Sequence, residues 1–225
     1  MREEIIGGSR LIQGDCLDVL KTIDTESIDF IITDPPYGIN FQSTRAVDAN
    51  DYKAKVKNDR QPFIWFLYDA ARVLKIGGGI LCFSRWDVQQ IFIKAMELAG
   101  LKVKNVLVWD KQTHTSGDLK GNFGARYETI IFATKGRYLL PGKRPENLIA
   151  CPAINSHYII HPNQKPVPLI KQLIEQTTNP DELILDPFMG IGTTCKAAIE
   201  TGRRSIGIEL DERYFNIAIE RCKAE

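Results

Sequence analysis

Short runs of hydrophobic and β-branched residues alternate along the chain with longer stretches in which apolar residues recur every three or four positions. The short runs predict β-strands, and the longer periodic stretches predict α-helices. The predicted strands are residues 10–13, 28–33, 79–84, 102–109, 127–134, 182–186 and 205–210. The predicted helices are residues 16–23, 63–75, 88–98, 167–177, 193–201 and 212–222. This alternation is typical of an α/β fold, a mainly parallel sheet with helices on both faces, whose ligands bind beyond the carboxyl ends of the strands.

Three polar segments, residues 40–62, 111–126 and 137–158, fit neither pattern. Long segments of this kind usually carry function, and the first two begin at the carboxyl end of a predicted strand. The chain has 225 residues, which suits one large domain, so we expect a single domain over residues 1–225.

The composition is that of an ordinary globular protein, with 44% hydrophobic and 25% charged residues. No apolar run approaches the ~18 residues of a membrane span. The first ten residues lack the hydrophobic core of a signal peptide, so we expect a cytoplasmic protein. The five cysteines are scattered and never spaced as CxxC, and the chain has three histidines. Neither a disulfide framework nor a metal site is therefore expected.

The net charge of +1 hides an uneven distribution. Residues 34–174 carry a net charge of +9, whereas both flanking regions are acidic. Within the middle region, residues 134–144 (TKGRYLLPGKR) contain four basic side chains and no acidic one. Such a basic region is typical of a polyanion-binding face, and on charge alone a set of solvated loops explains it equally well.

Residues 183–198, LILDPFMGIGTTCKAA, have the pattern of a strand, a glycine turn and a helix. Gly190 and Gly192 allow the backbone to turn tightly and to approach a ligand. Thr193 or Thr194 can cap the helix that follows. The motif lacks the third glycine of a dinucleotide fingerprint, so a purely structural turn is an alternative.

Three acids follow predicted strands at the expected ligand edge. Asp186 disfavours a pyrophosphate and suits a ligand with a positive end, such as S-adenosylmethionine with its ammonium and sulfonium groups. Glu209, 19 residues after Gly190, is placed to accept hydrogen bonds from a ribose. Asp15 can accept a hydrogen bond from an adenine amino group, or it can simply cap the helix that follows.

The order of these features along the chain constrains the sheet. A glycine turn normally follows the first strand of a nucleotide-binding sheet, but here only 16 residues follow Glu209. The remaining strands must therefore come from the N-terminal part. The sequence predicts a circularly permuted sheet in which the tip of strand 28–33 lies near the glycine turn.

The stretch FIITDPPYGINF, residues 30–41, leaves a strand through an acid, two prolines and a tyrosine. Proline has no N–H group, so Asp34 and the Pro35 carbonyl form a rigid cradle of hydrogen-bond acceptors. The ligand that fits is an amino group with two hydrogens, and Tyr37 offers a face on which a base can stack. Two acceptors out of the ring plane would free the lone pair of an exocyclic amine for a methyl group, without a covalent enzyme intermediate. A proline turn without chemistry is the alternative.

Three motifs in a particular order resemble a known family. TDPPYG (33–38), HPNQKPVPLI (161–170) and DPFMGIGTT (186–194) resemble the amino-methylating DNA methyltransferases, and their order resembles the permuted β group of that family. The match runs from Gly14 to Cys222 apart from the long loops.

The resemblance implies a class I methyltransferase fold, Rossmann-like, that uses S-adenosylmethionine and no metal. It implies that Asp34, Pro35, Pro36 and Tyr37 hold the target base. The residues implied to bind the cofactor are Asp15, Cys16, Asp34, His161, Asn163, Gln164, Lys165, Asp186, Phe188, Gly190, Gly192, Thr193, Thr194, Glu209 and Leu210. Among these, the glycine turn and the segment 161–165 would hold the methionine end, Glu209 the ribose and Asp15 the adenine.

A target base inside double-stranded DNA has to be flipped out before such a site can reach its amino group. The basic middle region would bind phosphates, with Lys143 and Arg144 as candidate contacts. The segment that usually reads the target is short here, at 24 residues (137–160). The region that recognises the target is then either short, shared with the loops 40–62 and 111–126, or completed by a second subunit in a homodimer.

Within the family, aspartate at position 34 favours N6 of adenine as the acceptor, and N4 of cytosine is the alternative. A methyltransferase acting on protein glutamine or RNA is a further reading, although the cofactor motif normally comes first in those enzymes. A catalytically silent nucleic-acid-binding module is a third, against which the intact acidic residues speak. The sequence fits a restriction-modification role with a partner nuclease and a stand-alone role equally.

Overall fold

The protein is described from a computed structural model, which describes residues 2–38, 61–114, 120–155 and 164–224. In these residues the chain forms nine strands and six helices. The strands are β1 Arg2–Ile6, β2 Ser9–Gln13, β3 Ile28–Thr33, β4 Leu74–Ser84, β5 Lys102–Asp110, β6 Tyr127–Thr134, β7 Leu148–Ala150, β8 Leu183–Asp186 and β9 Arg204–Glu209. The helices are α1 Cys16–Lys21, α2 Phe66–Val73, α3 Gln89–Leu98, α4 Val167–Thr177, α5 Thr193–Glu200 and α6 Glu212–Lys223.

The nine strands form one sheet in the order β1-β2-β9-β8-β3-β4-β6-β5-β7. The five neighbours β2, β9, β8, β3 and β4 are parallel to one another, whereas β1 and β6 run antiparallel to their neighbours. Consecutive strand residues point to opposite faces, and Phe30, Ile31 and Ile32 of β3 are each at most 1% exposed. Both faces of the sheet are therefore covered, which confirms the predicted mainly parallel α/β fold.

The two strands that come last in the chain lie inside the sheet. Strand β8 lies between β9 and β3, with Phe30 opposite Ile184 and Ile31 opposite Leu185. The tip of β3 and the glycine turn after β8 are therefore neighbours, as their order along the chain predicts.

Two strands were not expected from the sequence. Strand β1 consists of REEII and is mostly exposed, so its charged residues hide the pattern of a half-buried strand. It pairs with β2 as an antiparallel hairpin, and the Arg10 guanidinium bonds the Glu3 carboxylate across it at 2.6 Å. Strand β7 has three residues within the polar segment 137–158, and it adds to β5 at the far edge.

Strand β4 begins earlier and helix α2 ends earlier than predicted. The predicted helix extends to residue 75, but α2 ends at Val73 and Leu74 begins the strand. The Lys75 ammonium lies 2.5 Å from the Asp29 carboxylate, which holds this residue beside β3 instead of on the helix.

The sheet edge formed by the carboxyl ends of the parallel strands positions the candidate site. Strands β2, β9, β8, β3 and β4 all end there, and Gln13 lies opposite Glu209. Because β6 is antiparallel, it begins at this edge, where Thr129 lies opposite Ser84. Within the described ranges, no helix is long and apolar enough to cross a membrane.

Candidate active site

Asp186, at the carboxyl end of β8, organises the glycine turn. Its side chain is buried, and its Oδ1 accepts hydrogen bonds from the Thr33 hydroxyl and the Phe188 N–H, both at 3.1 Å. Its Oδ2 accepts from the Thr194 hydroxyl at 2.6 Å. Since Thr33 ends β3, this carboxylate joins the two motifs that the sequence places far apart. Burial raises the pKa of Asp186 to about 6, although the three hydrogen bonds favour the ionised form.

The turn itself requires glycine. Gly190 and Gly192 have φ angles of 53° and 76°, in the left-handed region. A Cβ atom at Gly192 would lie 2.9 Å from the Cβ of Ala218 on α6, so this position is restricted by packing as well as by conformation. The sequence argument for a tight backbone turn is confirmed.

The prediction that Thr193 or Thr194 caps α5 is wrong. Gly192 occupies the N-cap, and no side chain caps the helix. The Thr194 hydroxyl instead donates to Asp186, and the Thr193 hydroxyl accepts a hydrogen bond from the Arg221 guanidinium at 3.2 Å. The competing partners on neighbouring elements determine where these hydroxyls point.

We expect Gly192→Ala to lower the free energy of unfolding by about 2–4 kcal/mol, because a left-handed conformation costs about 1–2 kcal/mol and the new methyl group meets Ala218. Chemical denaturation measures the change. Gly202→Ala is the matched control, since Gly202 has a φ of 69° and open space around its Cβ position. Equal losses in the two variants would show that the contact with Ala218 contributes nothing.

A second acid lies one strand further along the crevice. Glu209 ends β9, and its Oε1 accepts a hydrogen bond from the Asp211 N–H at 2.7 Å. Burial raises the pKa of Glu209 to about 7. Leu210, beside it, is 38% exposed and offers an apolar surface at the same edge.

Asp15 lies on the next strand end. The Gly14 N–H donates to the Glu209 carbonyl at 3.0 Å, which brings the ends of β2 and β9 together. The Asp15 carboxylate accepts from the Leu17 N–H at 2.9 Å and caps α1. Asp15 therefore caps α1, as one of the two interpretations of the sequence predicts, and its contact with adenine stays a prediction. Cys16 is buried, and burial raises its pKa to about 12, so its thiol is no nucleophile at neutral pH.

The chemistry of this crevice fits the expected cofactor. Two carboxylates, the buried Asp186 and the half-buried Glu209, end adjacent strands beside the glycine turn. Carboxylates suit an ammonium group, a sulfonium group and ribose hydroxyls, and they disfavour a pyrophosphate. Phe188 extends the turn, and its ring packs edge-on against Phe66 at 4.9 Å.

The other half of the crevice is the DPPY segment after β3. The Asp34 Oδ1 accepts a hydrogen bond from the Tyr37 hydroxyl. Tyr37 is 9% exposed, and the stacking of a base on its ring stays a prediction. The Pro36 carbonyl accepts from the Phe63 N–H at 3.0 Å, which anchors the segment to the residues before α2. Pro35 is buried at the strand tip.

A chain of ionic contacts reaches Asp34 from elements that the sequence does not connect with it. The Lys165 ammonium lies 2.6 Å from Asp34 Oδ2 and 3.1 Å from Glu128 Oε2. The Lys111 ammonium lies 2.6 Å from Glu128 Oε1. All four side chains are between 9% and 17% exposed.

The charges in this chain stabilise one another. Although burial alone would lower the pKa of Lys165, the Asp34 and Glu128 carboxylates hold it above its usual value. Burial would raise the pKa of Glu128, but Lys165 and Lys111 hold it below its usual value. Burial raises the pKa of Asp34, and Lys165 offsets this only in part. Lys165 is therefore a charged partner of Asp34, and the methionine-side role that the family resemblance implies for it stays a prediction.

The remaining predicted residues differ in what the structure describes of them. His161 and Asn163 lie outside the described residues, whereas Gln164 is described, directly before Lys165. Lys143 and Arg144 are exposed in the segment between β6 and β7. In the part of the chain that the structure describes, no contact links them to Asp34 or to the glycine turn. Their role in binding DNA stays a prediction.

Sequence reasoning missed three residues of the site. Thr33 appeared as the end of a strand and in the TDPPYG motif, Glu128 as a strand residue and Lys111 as the start of a polar segment, and none of them was assigned a role. The antiparallel direction of β6 is what brings Glu128 to the crevice, and no local signal in the sequence reveals that direction.

Comparisons with known proteins agree with this geometry. A family model described as DNA methylase, of the N6/N4 methyltransferase type, matches residues 28–220. The protein named "Putative methylase YubD" of Escherichia coli K12 is 38% identical over 217 residues, covering 96% of this chain and 91% of that protein. The DNA adenine methyltransferase YhdJ of the same organism is 29% identical over 249 residues, covering 94% and 81% of the two chains.

Solved structures show the same fold. The M1.HpyAVI–SAM complex has a TM-score of 0.75 and 24% identity, and the alignment covers 96% of this chain and all of that one. The PvuII DNA methyltransferase, which is cytosine-N4-specific, has a TM-score of 0.73 and 19% identity, covering 95% and 86% of the two chains.

The fold predicted from strand order, the acidic crevice and the matched family agree on one assignment. The family uses S-adenosylmethionine. The chain belongs to the N6/N4 DNA methylase family and is an S-adenosylmethionine-dependent DNA methyltransferase.

Proposed function

We propose that the enzyme transfers the methyl group of S-adenosylmethionine to the exocyclic N6 amino group of adenine in DNA. The observation that supports this most is the hydrogen bond from Thr33 to Asp186, because Thr33 directly precedes Asp34 and Asp186 directly precedes the glycine turn. N4 of cytosine is the alternative acceptor.

In this proposal, the residues of the crevice have separate roles. Asp186 and the turn at Gly190 and Gly192 hold the methionine end, and Glu209 receives the ribose hydroxyls. The bound cofactor supplies an electrophilic methyl group on its sulfonium. Asp34 and the Pro35 carbonyl accept hydrogen bonds from the target amino group and hold its lone pair towards that methyl group, so that catalysis rests on positioning and electrostatics.

Two considerations favour adenine. The relative YhdJ is named a DNA adenine methyltransferase, and aspartate at position 34 favours adenine in the family that this chain resembles. The fold of the cytosine-N4-specific PvuII enzyme is similar, so the scaffold serves both acceptors. The order of the DPPY and glycine-turn motifs supports membership of the permuted β group.

The target base is flipped out of the duplex to reach Asp34. Lys143, Arg144 and the loops 40–62, 111–126 and 137–160 contact the DNA in this proposal. A homodimer would complete a recognition region that is short in one chain. A partner restriction enzyme fits the proposal as well as a stand-alone role does.

The proposal is tested in a bacterial host that lacks its own adenine-N6 methylation. Wild-type enzyme is expressed, and the genome is sequenced by a method that detects modified bases. We expect N6-methyladenine at one short recurring sequence, and none with Asp34→Ala. N4-methylcytosine at such a sequence would replace the adenine assignment, and an unmodified genome would contradict the proposal.

We expect cofactor affinity to fall as the pH falls through the range set by Glu209 and Asp186. Their pKa values are raised to about 7 and about 6, so both become protonated below these values and lose the charge that the cofactor needs. Titration calorimetry at pH 6 should show a dissociation constant about tenfold above that at pH 8. Glu209→Gln is the control, because it removes the ionisation of this side chain and leaves that of the cofactor unchanged. If the dissociation constant of this variant depends on pH as strongly as that of the wild type, the role of Glu209 is refuted.

We expect the double substitution of Lys143 and Arg144 by alanine to weaken DNA binding and to reduce its salt dependence. Two lost phosphate contacts lower the slope of log K against log salt concentration by about 2. Fluorescence anisotropy at several salt concentrations measures this slope. Lys21 and Lys223, exposed at helix ends away from the crevice, provide a control double variant. Identical slopes for the two variants would place the DNA elsewhere.

A further inference from the structure

Both oxygens of Asp34 accept hydrogen bonds from side chains of the protein. Oδ1 accepts from the Tyr37 hydroxyl, and Oδ2 accepts from the Lys165 ammonium at 2.6 Å. A target amino group that bonds this carboxylate has to displace one of these donors. Because the Lys165 side chain is 9% exposed, displacing it without a second partner would leave a buried, unpaired charge.

Glu128 is a second partner within reach. Its Oε2 lies 3.1 Å from the Lys165 ammonium, but this buried oxygen accepts no hydrogen bond of good geometry from any described group. Its other oxygen is fixed by Lys111 at 2.6 Å. Glu128 is therefore a rigidly held carboxylate with free acceptor capacity that faces Lys165.

The chemistry also requires that Lys165 move. The amino nitrogen gains positive charge as its bond to the methyl group forms, and an ammonium on the same carboxylate opposes that charge. A shift of the Lys165 hydrogen bond from Asp34 to Glu128 frees Oδ2 and moves the positive charge away. The Phe83 ring, whose centroid lies 5.0 Å from the Lys165 ammonium, stabilises the charge close to both carboxylates.

We propose that Lys165 is a positioning residue that holds the amine-acceptor oxygen of Asp34 until the target base enters and then transfers its hydrogen bond to Glu128. This inference rests on the proposed function, in which Asp34 receives the target amino group. It assigns Glu128 as the residue that makes the acceptor available.

The test is a double-mutant cycle on Glu128→Gln and Lys165→Met, read as the single-turnover rate of methyl transfer to DNA with saturating cofactor. Without the Glu128 charge, Lys165 stays on Asp34, so Glu128→Gln should slow transfer about tenfold. In the Lys165→Met background the same substitution should change the rate less than about twofold, because Glu128 acts through Lys165. The cofactor dissociation constant of Glu128→Gln should differ from that of the wild type by less than about threefold.

Two further readouts separate positioning from a structural role. Lys165→Met removes the counterion of Asp34, so its pKa should rise further and the rate should fall at pH 7 and recover towards pH 9. Lys165→Arg keeps the charge and should restore most of the rate at pH 7, and it keeps the test valid if the methionine variant does not fold. Lys171→Met, which breaks the surface pair with Glu200 at 3.0 Å, is the matched control and should behave like wild type.

The possible outcomes distinguish a failure of the positioning role from a failure of the proposed function. Additive losses in the cycle, an unchanged rate in Glu128→Gln, or a lost cofactor affinity in Glu128→Gln would overturn the positioning role while leaving the proposed function intact. No transfer to DNA amino groups by the wild-type enzyme would overturn the proposed function, and this inference with it.

Discussion

Replacing Asp34 with alanine should remove methyl transfer while leaving the binding of S-adenosylmethionine almost unchanged. The carboxylate is the charged acceptor at the tip of β3, and removing one preorganised polar group from a site of this kind lowers kcat by about 10²–10³-fold. The cofactor turn stays organised, because Asp186 is held by Thr33, Thr194 and the Phe188 N–H. Single-turnover transfer and titration calorimetry measure the two quantities separately.

Asp34→Asn is the control for this experiment. Asparagine keeps the size and one acceptor oxygen but lacks the charge that attracts Lys165. Transfer should be lowered less than in the alanine variant, and cofactor affinity should again be unchanged. A strong loss of cofactor affinity in either variant would show that the target and cofactor halves of the crevice have been exchanged.

Replacing Asp186 with alanine should have the opposite profile, with cofactor binding lost first. The substitution removes the carboxylate that faces the ammonium end of the cofactor, and we expect affinity to fall by more than about 100-fold. It also leaves three buried donors without their acceptor, from Thr33, Thr194 and the Phe188 backbone. The free energy of unfolding should fall by about 2–4 kcal/mol.

Asp186→Asn separates these two effects. The amide keeps one oxygen acceptor for the surrounding donors, so stability should return towards wild type while cofactor affinity stays low. Denaturant unfolding and calorimetry on the same samples provide both numbers. If Asp186→Asn binds the cofactor like wild type, the charge of Asp186 is not what holds the methionine end.

The core of the fold could be predicted because its strands are buried on both faces. In the run of residues 28–33, Ile28 and residues 30–32 are apolar and buried, and this pattern is typical of a central parallel strand. Strand β1 could not be predicted, since its REEII sequence gains its stability from pairing with β2 and from the Arg10–Glu3 contact across the hairpin. Both interactions involve residues outside the REEII segment.

The cofactor half of the site could also be predicted, because its residues follow directly from local chain geometry. Asp186, Gly190 and Gly192 lie within one turn, and glycine is needed where φ is positive. The hydrogen-bond partners of Thr193 and Thr194 could not be predicted in this way. Their hydroxyls had several possible partners, and tertiary contacts with Arg221 and Asp186 decided between them.

The ionic chain at Asp34 lay beyond sequence reasoning for a topological reason. Glu128 is 94 residues after Asp34, and Lys165 is a further 37 residues along the chain. They meet because β6 runs antiparallel to β4 and so begins where the parallel strands end. The sequence identified Asp34 and Lys165 as members of separate motifs, and only the structure shows their side chains in contact.

The central claim, transfer of a methyl group to an amino group in DNA, is tested most directly with radiolabelled S-adenosylmethionine. Purified wild-type enzyme is incubated with mixed-sequence double-stranded DNA, and the digested nucleosides are separated and counted, with Asp34→Ala as the inactive control. We predict that the label is found in N6-methyl-2′-deoxyadenosine and that it is absent from the DNA in the control. Label confined to protein or RNA, or no label in DNA, would contradict the account.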